Sequence, residues 1–530
     1  MWSWTMRLCA ASLFMAAAGG PAMAQKSGGT LHMYFADNPP STSIHEEATT
    51  STVVPFMSLY NNLVLFDQQI PQNSLETIRP DLAESWKWSE DGKHLTFKLV
   101  DDAKWHDGKP FNSADVKCTF DMVAGKSETK LRRNPRASWY TNVESITTNG
   151  DREVTFQLKE PQPSFLVLLA SGYSPVYPCH ITPAQMRTKP IGTGPFKLVE
   201  FRQKEVVRLA RNPDYFKKGK PYLDAIEIPI VPARGTAILG FVSNRYDMTA
   251  PYAVTIPLLK DVKAQAPQAI CEVASMNNNT NLILNRDAPP FDNPDIRRAM
   301  LLSIDRKAFI DILNQGQAEA GGTMEPRPDG VWGLPKEIFE QVPGYGSDVA
   351  KNRAEGRAIM EKLGYGPTNR LKLKVSTRNH LLYRDPAVIL IDQLKEVYFE
   401  GELDLVDTAV WYTKVARKDY SIGLNTTGNG VDDPDQTFFE NFACKSERNY
   451  TGYCNADIEK LFAVQSRERD VEKRRKIVWE IDRRLLEDGA RPPIMWNAAA
   501  SCWHPYVKGF RPMVNSLYNG SRFEDVWLDK

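Results

Sequence analysis

A chain of 530 residues exceeds what one ordinary hydrophobic core organises, so two or more lobes are expected. Apolar residues make up 42% and charged residues 25%, the balance of a water-soluble globular protein. A formal net charge of only +1 lacks the basic excess on which nucleic-acid partners depend, and that class is set aside.

The chain opens on a compartment signal. Arg7 precedes the apolar run Leu8 to Ala18, and Ala22-Met23-Ala24 before Gln25 is a small-x-small cleavage pattern. The run is too short to cross a bilayer. Residues 1–24 are therefore read as a signal peptide, with a buried N-terminal helix as the alternative. Cys9 lies inside the apolar run, which argues against lipid anchoring there. Losing Arg7 takes the formal charge from +1 to zero. The mature protein is expected to be soluble and periplasmic.

Six cysteines follow the leader: Cys118, Cys179, Cys271, Cys444, Cys454 and Cys502. Export permits disulfides. Cys444 and Cys454 bracket turn-compatible residues, including Ser446, Asn449, Thr451 and Gly452, and are expected to pair. The other four are expected as buried free thiols, the common fate of scattered cysteines, although spacing leaves their connectivity open. Without a CxxC and with scattered histidines, no zinc site is expected.

Residues 81–99 predict a hairpin: Trp86 and Trp88 share a face, Ser89-Glu90-Asp91-Gly92 turns, and Leu95, Phe97 and Leu99 alternate on the return. Trp105-His106-Asp107-Gly108-Lys109-Pro110 is a second turn. Asn112 then caps a helix, with Asp115 three residues on. Adjacent side chains rarely face one another, so His106-Asp107 is turn chemistry and not a catalytic pair. Ile191-Gly192-Thr193-Gly194-Pro195-Phe196 is glycine-rich, but a strand pattern follows and Pro195 has no amide donor. A turn into a sheet is favoured over a nucleotide loop. Leu223 to Val231 is a further strand, completing a mixed, strand-rich first region.

From Asn293 the pattern turns helical. Asn293 caps, Pro294 takes the first position, and Ile296, Met300 and Ile304 make a buried stripe. Asp305 caps the next helix, and another runs from about Lys351 to Leu363. Leu371 to Ser376, Ala387 to Tyr398 and Leu403 to Val406 alternate strand, helix and strand, the signature of an α/β lobe. A long charged helix covers residues 467–488.

Several segments together resemble a known family. They are Pro80-Asp81-Leu82-Ala83-Glu84-Ser85-Trp86, Trp105 to Phe111, Gly192 to Phe196 and Arg211-Asn212-Pro213-Asp214-Tyr215-Phe216. Pro290-Phe291-Asp292-Asn293, Ile296 to Ala299, Ser303 to Arg306, Asp433-Pro434-Asp435 and Gly452 to Asn455 continue in order. Each alone is weak, but the series resembles the bacterial extracellular solute-binding proteins of peptide and nickel importers of the ATP-binding-cassette class. The resemblance implies an α/β, two-lobed, hinged-trap fold with two chain crossings and an extra subdomain. It places one lobe at 25–276 with 504–530, the subdomain at about 66–190, and the second lobe at 277–503. Crossings are expected near Met276 to Leu284 and Ile494 to Cys502. A membrane permease and ATPase are the implied partners, with a monomeric protein and no cofactor.

The same resemblance selects pocket residues. Peptide-binding relatives place an acid before Asp-Pro-Asp for the ligand's amino group; here that position holds Asn429, with Asp432 as a substitute and Asp433 beside it. The family's arginine for the ligand carboxylate corresponds to Leu381, so Arg378 and Arg384 are candidates, with Tyr383 nearby. Trp411 matches a family aromatic, and Asn425 stands where a tryptophan is expected. Thr50, Ser51, Thr52 and Asn278 complete the set. These departures make an ordinary dipeptide doubtful as the ligand and point to an amino-acid derivative, a modified peptide, an opine-like compound or an oligosaccharide. The alternatives are a nickel-chelate or haem-binding relative and a secreted hydrolase, although no GxSxG or HExxH occurs.

Overall fold

The computed structural model describes residues 25–530, so the predicted signal peptide lies outside the described residues. Three sheets organise the chain. The first has Thr30–His32 parallel to Ala225–Pro229, followed by Val206–Arg211 and Phe196–Arg202 in antiparallel order. The second is an antiparallel sheet in the order Ala83–Trp88, His94–Leu99, Glu153–Leu158 and Val143–Asn149. Its first pair is the predicted hairpin, with Trp86 opposite Phe97 and Trp88 opposite Leu95. Helix Ser113–Val123 starts from the predicted Asn112 cap, which accepts from the Ala114 N–H in a capping box with Asp115.

The third sheet has five strands in the order Phe399–Val406, Leu371–Arg378, Ile422–Gly428, Ile270–Leu284 and Pro493–Trp503. Its two longest strands run past the rest. The Ile270–Ser275 end of one pairs only with Ala498–Trp503, and its Asn278–Leu284 end also pairs with Ile422–Gly428. A bulge between Ser275 and Asn279 marks the changeover, and Asn277 there has φ 46°, a left-handed conformation that Asn tolerates better than most residues. The first ends reach the Thr30-containing layer through bridges of Trp503 with Met248 and of Ala500 with Val254. Two antiparallel strands thus connect two layers with separate hydrophobic cores.

The glycine-rich segment enters strand Phe196–Arg202 as expected, and its composition has a steric cause. A Cβ on Gly192 would fall 1.8 Å from the Leu59 carbonyl oxygen, and one on Gly194 would fall 2.4 Å from the Leu59 carbonyl carbon. His106 clamps the same turn, accepting from the Gly192 N–H at 3.2 Å and donating to the Gly194 carbonyl at 3.1 Å. Asp107 turns away to His180 at 2.8 Å.

Asn293 and Asp305 cap helices Pro294–Ser303 and Arg306–Asn314, and helices Val349–Lys362 and Val471–Glu487 follow as predicted to within a few residues. Helix Leu381–Leu394 starts earlier than expected: His380 caps it, and it runs through Pro386. That earlier start brings Tyr383 into the first turn beside Arg378.

One expectation is corrected. Cys118–Cys179 and Cys271–Cys502 are disulfides alongside Cys444–Cys454, not free thiols. Their partners lie 61 and 231 residues apart in sequence, yet the fold sets their Cα atoms 5.8 and 4.1 Å apart. Spacing carries no trace of that proximity.

Candidate binding cavity

Between the Thr30-containing layer and the five-stranded sheet lies a cavity whose walls come from both. Counted as space open to the centre of a water molecule, its volume is ≈ 130 Å³.

An ion pair joins the two walls. Arg378 ends strand Leu371–Arg378, and its Nη2 donates to the carboxylate of Asp37, which follows the first sheet. Thr408 donates to both Asp37 oxygens at 2.9 and 3.1 Å, and Ser51 also donates to this carboxylate. Arg378 Nη1 donates to the Tyr383 hydroxyl at 2.6 Å, while the guanidinium stacks 4.5 Å from the Tyr383 ring centroid. Burial alone would raise the Asp37 carboxyl, but Arg378, and behind it His380, Ser51 and Thr408, hold it below the usual carboxylate range. Burial opposes the Arg378 charge, and Tyr383, Tyr412 and Asp37 outweigh it, so the guanidinium is held more firmly protonated than usual. The pair is a buried, multiply hydrogen-bonded junction, the condition under which two desolvated charges offset their lost hydration.

Of the sequence candidates, the fold brings Thr50, Ser51, Asn278, Arg378 and Tyr383 to the cavity wall. Thr52 is buried behind it and donates to the Ser41 carbonyl at 3.2 Å. Trp411 is wholly buried in a cluster with Ile283, Val415 and Tyr450, and its indole N–H donates to Asn425 at 3.3 Å. Asn425 is buried beside it, and its amide donates to the Thr426 carbonyl at 2.9 Å. Asn429 accepts from the Thr437 hydroxyl at 2.9 Å, and Asp432 accepts from the Val331 N–H at 2.8 Å. Asp433 caps helix Pro434–Asn441 and takes a bidentate ion pair from Arg474 at 2.7 and 2.8 Å. Arg384 is exposed and lies 3.5 Å from Asp385. None of these seven lines the cavity.

Sequence reasoning missed Asp37, Tyr34, Arg234, His380, Tyr412 and Tyr518, all of which line it. They come from segments spread over nearly the whole chain, and no local motif links them. Tyr412 adjoins Trp411 and presents the other side of helix Thr408–Ala416, with its hydroxyl 3.4 Å from Arg378.

With this geometry in view, comparison with known proteins assigns the chain. Residues 77–449 match the model of the bacterial extracellular solute-binding proteins, family 5. The probable di/tripeptide-binding protein 5 of Pseudomonas aeruginosa is 24% identical, with 96% of this chain and 97% of that protein covered. Among solved structures, Haemophilus influenzae OppA in complex with RPPGFSPFR superposes with a TM-score of 0.83 at 21% identity, covering 96% of this chain and 100% of OppA. The binding protein AgaA of A. tumefaciens R10, in complex with agropinic acid, gives 0.82 at 22% identity over 95% of this chain and 99% of its own. The two-layer architecture, the paired crossing strands and the family match over most of the chain agree: this chain belongs to the bacterial extracellular solute-binding proteins, family 5.

Proposed function

We propose that the protein is the periplasmic solute-capturing component of an ATP-binding-cassette importer, delivering a small polar solute to a membrane permease and its ATPase. Residues 25–276 with 504–530 form one lobe and residues 277–503 the other, hinged on the two long strands. The carrying observation is the cavity walled from both layers, with the Asp37–Arg378 pair closing across it. Such a cavity exists only while the lobes are together. A solute touching both walls therefore favours the closed form by its differential contacts, and closure is the output the permease reads. Among the described residues, no helix is long and apolar enough to cross a membrane, which suits a protein working beside its permease.

The cavity enclosed between the two layers suits a small solute such as a short peptide or an opine-like compound. Related proteins named for di- and tripeptides, and AgaA with its agropinic acid, bracket this range. The test is native mass spectrometry of protein purified without refolding, followed by calorimetry and small-angle scattering with the solute it retains. One retained small molecule that binds without turnover and contracts the scattering envelope supports the proposal. Identical scattering with and without every tested solute, or chemical conversion of the solute, defeats it.

A further inference from the structure

We infer that the cavity contains a dedicated anion subsite, built by Arg234, Tyr34 and His380, and that the captured solute carries a carboxylate or similar acid group that docks there. This rests on the solute-capture proposal and narrows its substrate class.

Arg378 is the obvious cation in the cavity, but Asp37, Thr408 and Tyr383 already engage its guanidinium. An acid group docking on it would have to displace Asp37. Arg234 differs. It lines the same cavity, is partly buried, and has no ion pair or side-chain hydrogen bond among the described residues. The carboxylate nearest in influence, Asp385, stays outside ion-pair distance of Arg234 and lies 3.5 Å from Arg384. A partly desolvated guanidinium without an anion is unfavourable, and a planar acid group matches its donor geometry.

Independent features point to the same ligand. Tyr34 lines the cavity and is 2% exposed, and its buried hydroxyl has no hydrogen-bond partner among the described residues. A buried hydroxyl left unpaired carries an uncompensated desolvation penalty, which an incoming acceptor would offset. His380 approaches from the other wall. Its Nδ1 accepts the Leu382 N–H at 3.3 Å, so the neutral ring presents Nε2–H as a donor with no acceptor among the described residues. Burial holds this ring neutral, with its pKa lowered to about 4. Helix Arg234–Val242 begins at the cavity wall with no side-chain cap, so its first N–H groups and its positive dipole end add to the field there. The subsite therefore offers donors and positive charge to which, among the described residues, no side-chain acceptor is bonded. Because Arg234 and Tyr34 stand on one wall and His380 on the other, an anion held among them draws the lobes together.

The test uses probes with and without any carboxylate on the full mature chain: the acid Ala-Ala against its amide alanyl-alaninamide, and the acid N-(1-carboxyethyl)lysine against the amide in which both of its carboxylates are carboxamides. Affinities are measured by calorimetry for the wild type, Arg234→Gln, Tyr34→Phe and Arg384→Gln. The acid of a bound pair is expected to bind on the order of ten- to a hundredfold more tightly than its amide, the range of hydrogen bonds to a charged group. Arg234→Gln should erase that preference, Tyr34→Phe should reduce it, and exposed Arg384→Gln should leave it intact. Melting curves of the unliganded variants check that each is folded. Equal affinity for acid and amide in the wild type, or a preference surviving Arg234→Gln, overturns the subsite while leaving solute capture standing. Failure of every solute to close the lobes overturns both.

Discussion

Replacing Asp37 by Ala leaves the Arg378 guanidinium in the closed cavity without its counter-ion. The two side chains are 14% and 4% exposed, so bulk solvent screens the loss little. Removing one partner of a buried pair costs about 3–5 kcal/mol, or roughly two to three and a half powers of ten in an equilibrium constant. The penalty falls on closure, because opening returns Arg378 to water. Solute affinity should therefore drop by about that factor while the melting point of the unliganded protein changes little. Arg378→Ala should cost less, since Ser51 and Thr408 still donate to Asp37. The double variant should bind better than the two losses combined would allow, because no uncompensated charge remains. Calorimetry with the retained solute, run as a double-mutant cycle, measures the coupling. The pH dependence has a defined sign: the Asp37 carboxyl is held low in the closed form, so its contribution is complete above the ordinary carboxylate pKa of about 3.9 and fades as pH falls below it. Wild-type affinity in Asp37→Ala, or strictly additive losses, would refute the latch.

Four further outcomes follow from the structure. Asp81, wholly buried with Arg522 at 2.9 Å and Lys217 at 2.8 Å, should cost about 3–5 kcal/mol when changed to Ala, lowering Tm by roughly 3–8 °C; an unchanged melting curve contradicts the network. Burial pushes the Asp482 carboxyl up to about 6, so its folded-state advantage is complete below the usual carboxylate range and lost as pH rises through 6. Asp482→Asn should flatten the stability profile between about pH 4 and 7, by on the order of 3 kcal/mol in chemical unfolding. Converting both Cys271 and Cys502 to Ser should lower unfolding free energy by about 2–4 kcal/mol and spare solute binding. Trp411→Ala should destabilise by about 3–5 kcal/mol, since the ring fills a closed core cluster, and a stability loss under 1 kcal/mol would show the site to be loosely packed.

Much of the scaffold was legible in the residues because local chemistry determines it. Asn112, Asn293 and Asp305 announce helix starts through side chains that reach the adjacent backbone, and the Trp86/Trp88 alternation announces a strand with one covered face. The family segments extend this, since they mark turns and caps whose geometry the fold cannot do without. The Gly192 and Gly194 spacing belongs with them, although the reason for it, the Leu59 backbone pressed against both, is a tertiary fact.

The cavity was only partly legible. Arg378, Tyr383, Ser51, Thr50 and Asn278 reach its wall, but the ion partner of Arg378 stands 341 residues away at Asp37. Nothing near either residue encodes the other; they meet because strand Leu371–Arg378 and the segment after Thr30–His32 end at the same gap. The same distance hid the Cys118–Cys179 and Cys271–Cys502 pairs. Residue order thus determined the elements and their caps, which depend on neighbours a few positions apart. Which side chains face the cavity, and which charges are already spoken for, was decided only when two layers with separate cores closed on each other.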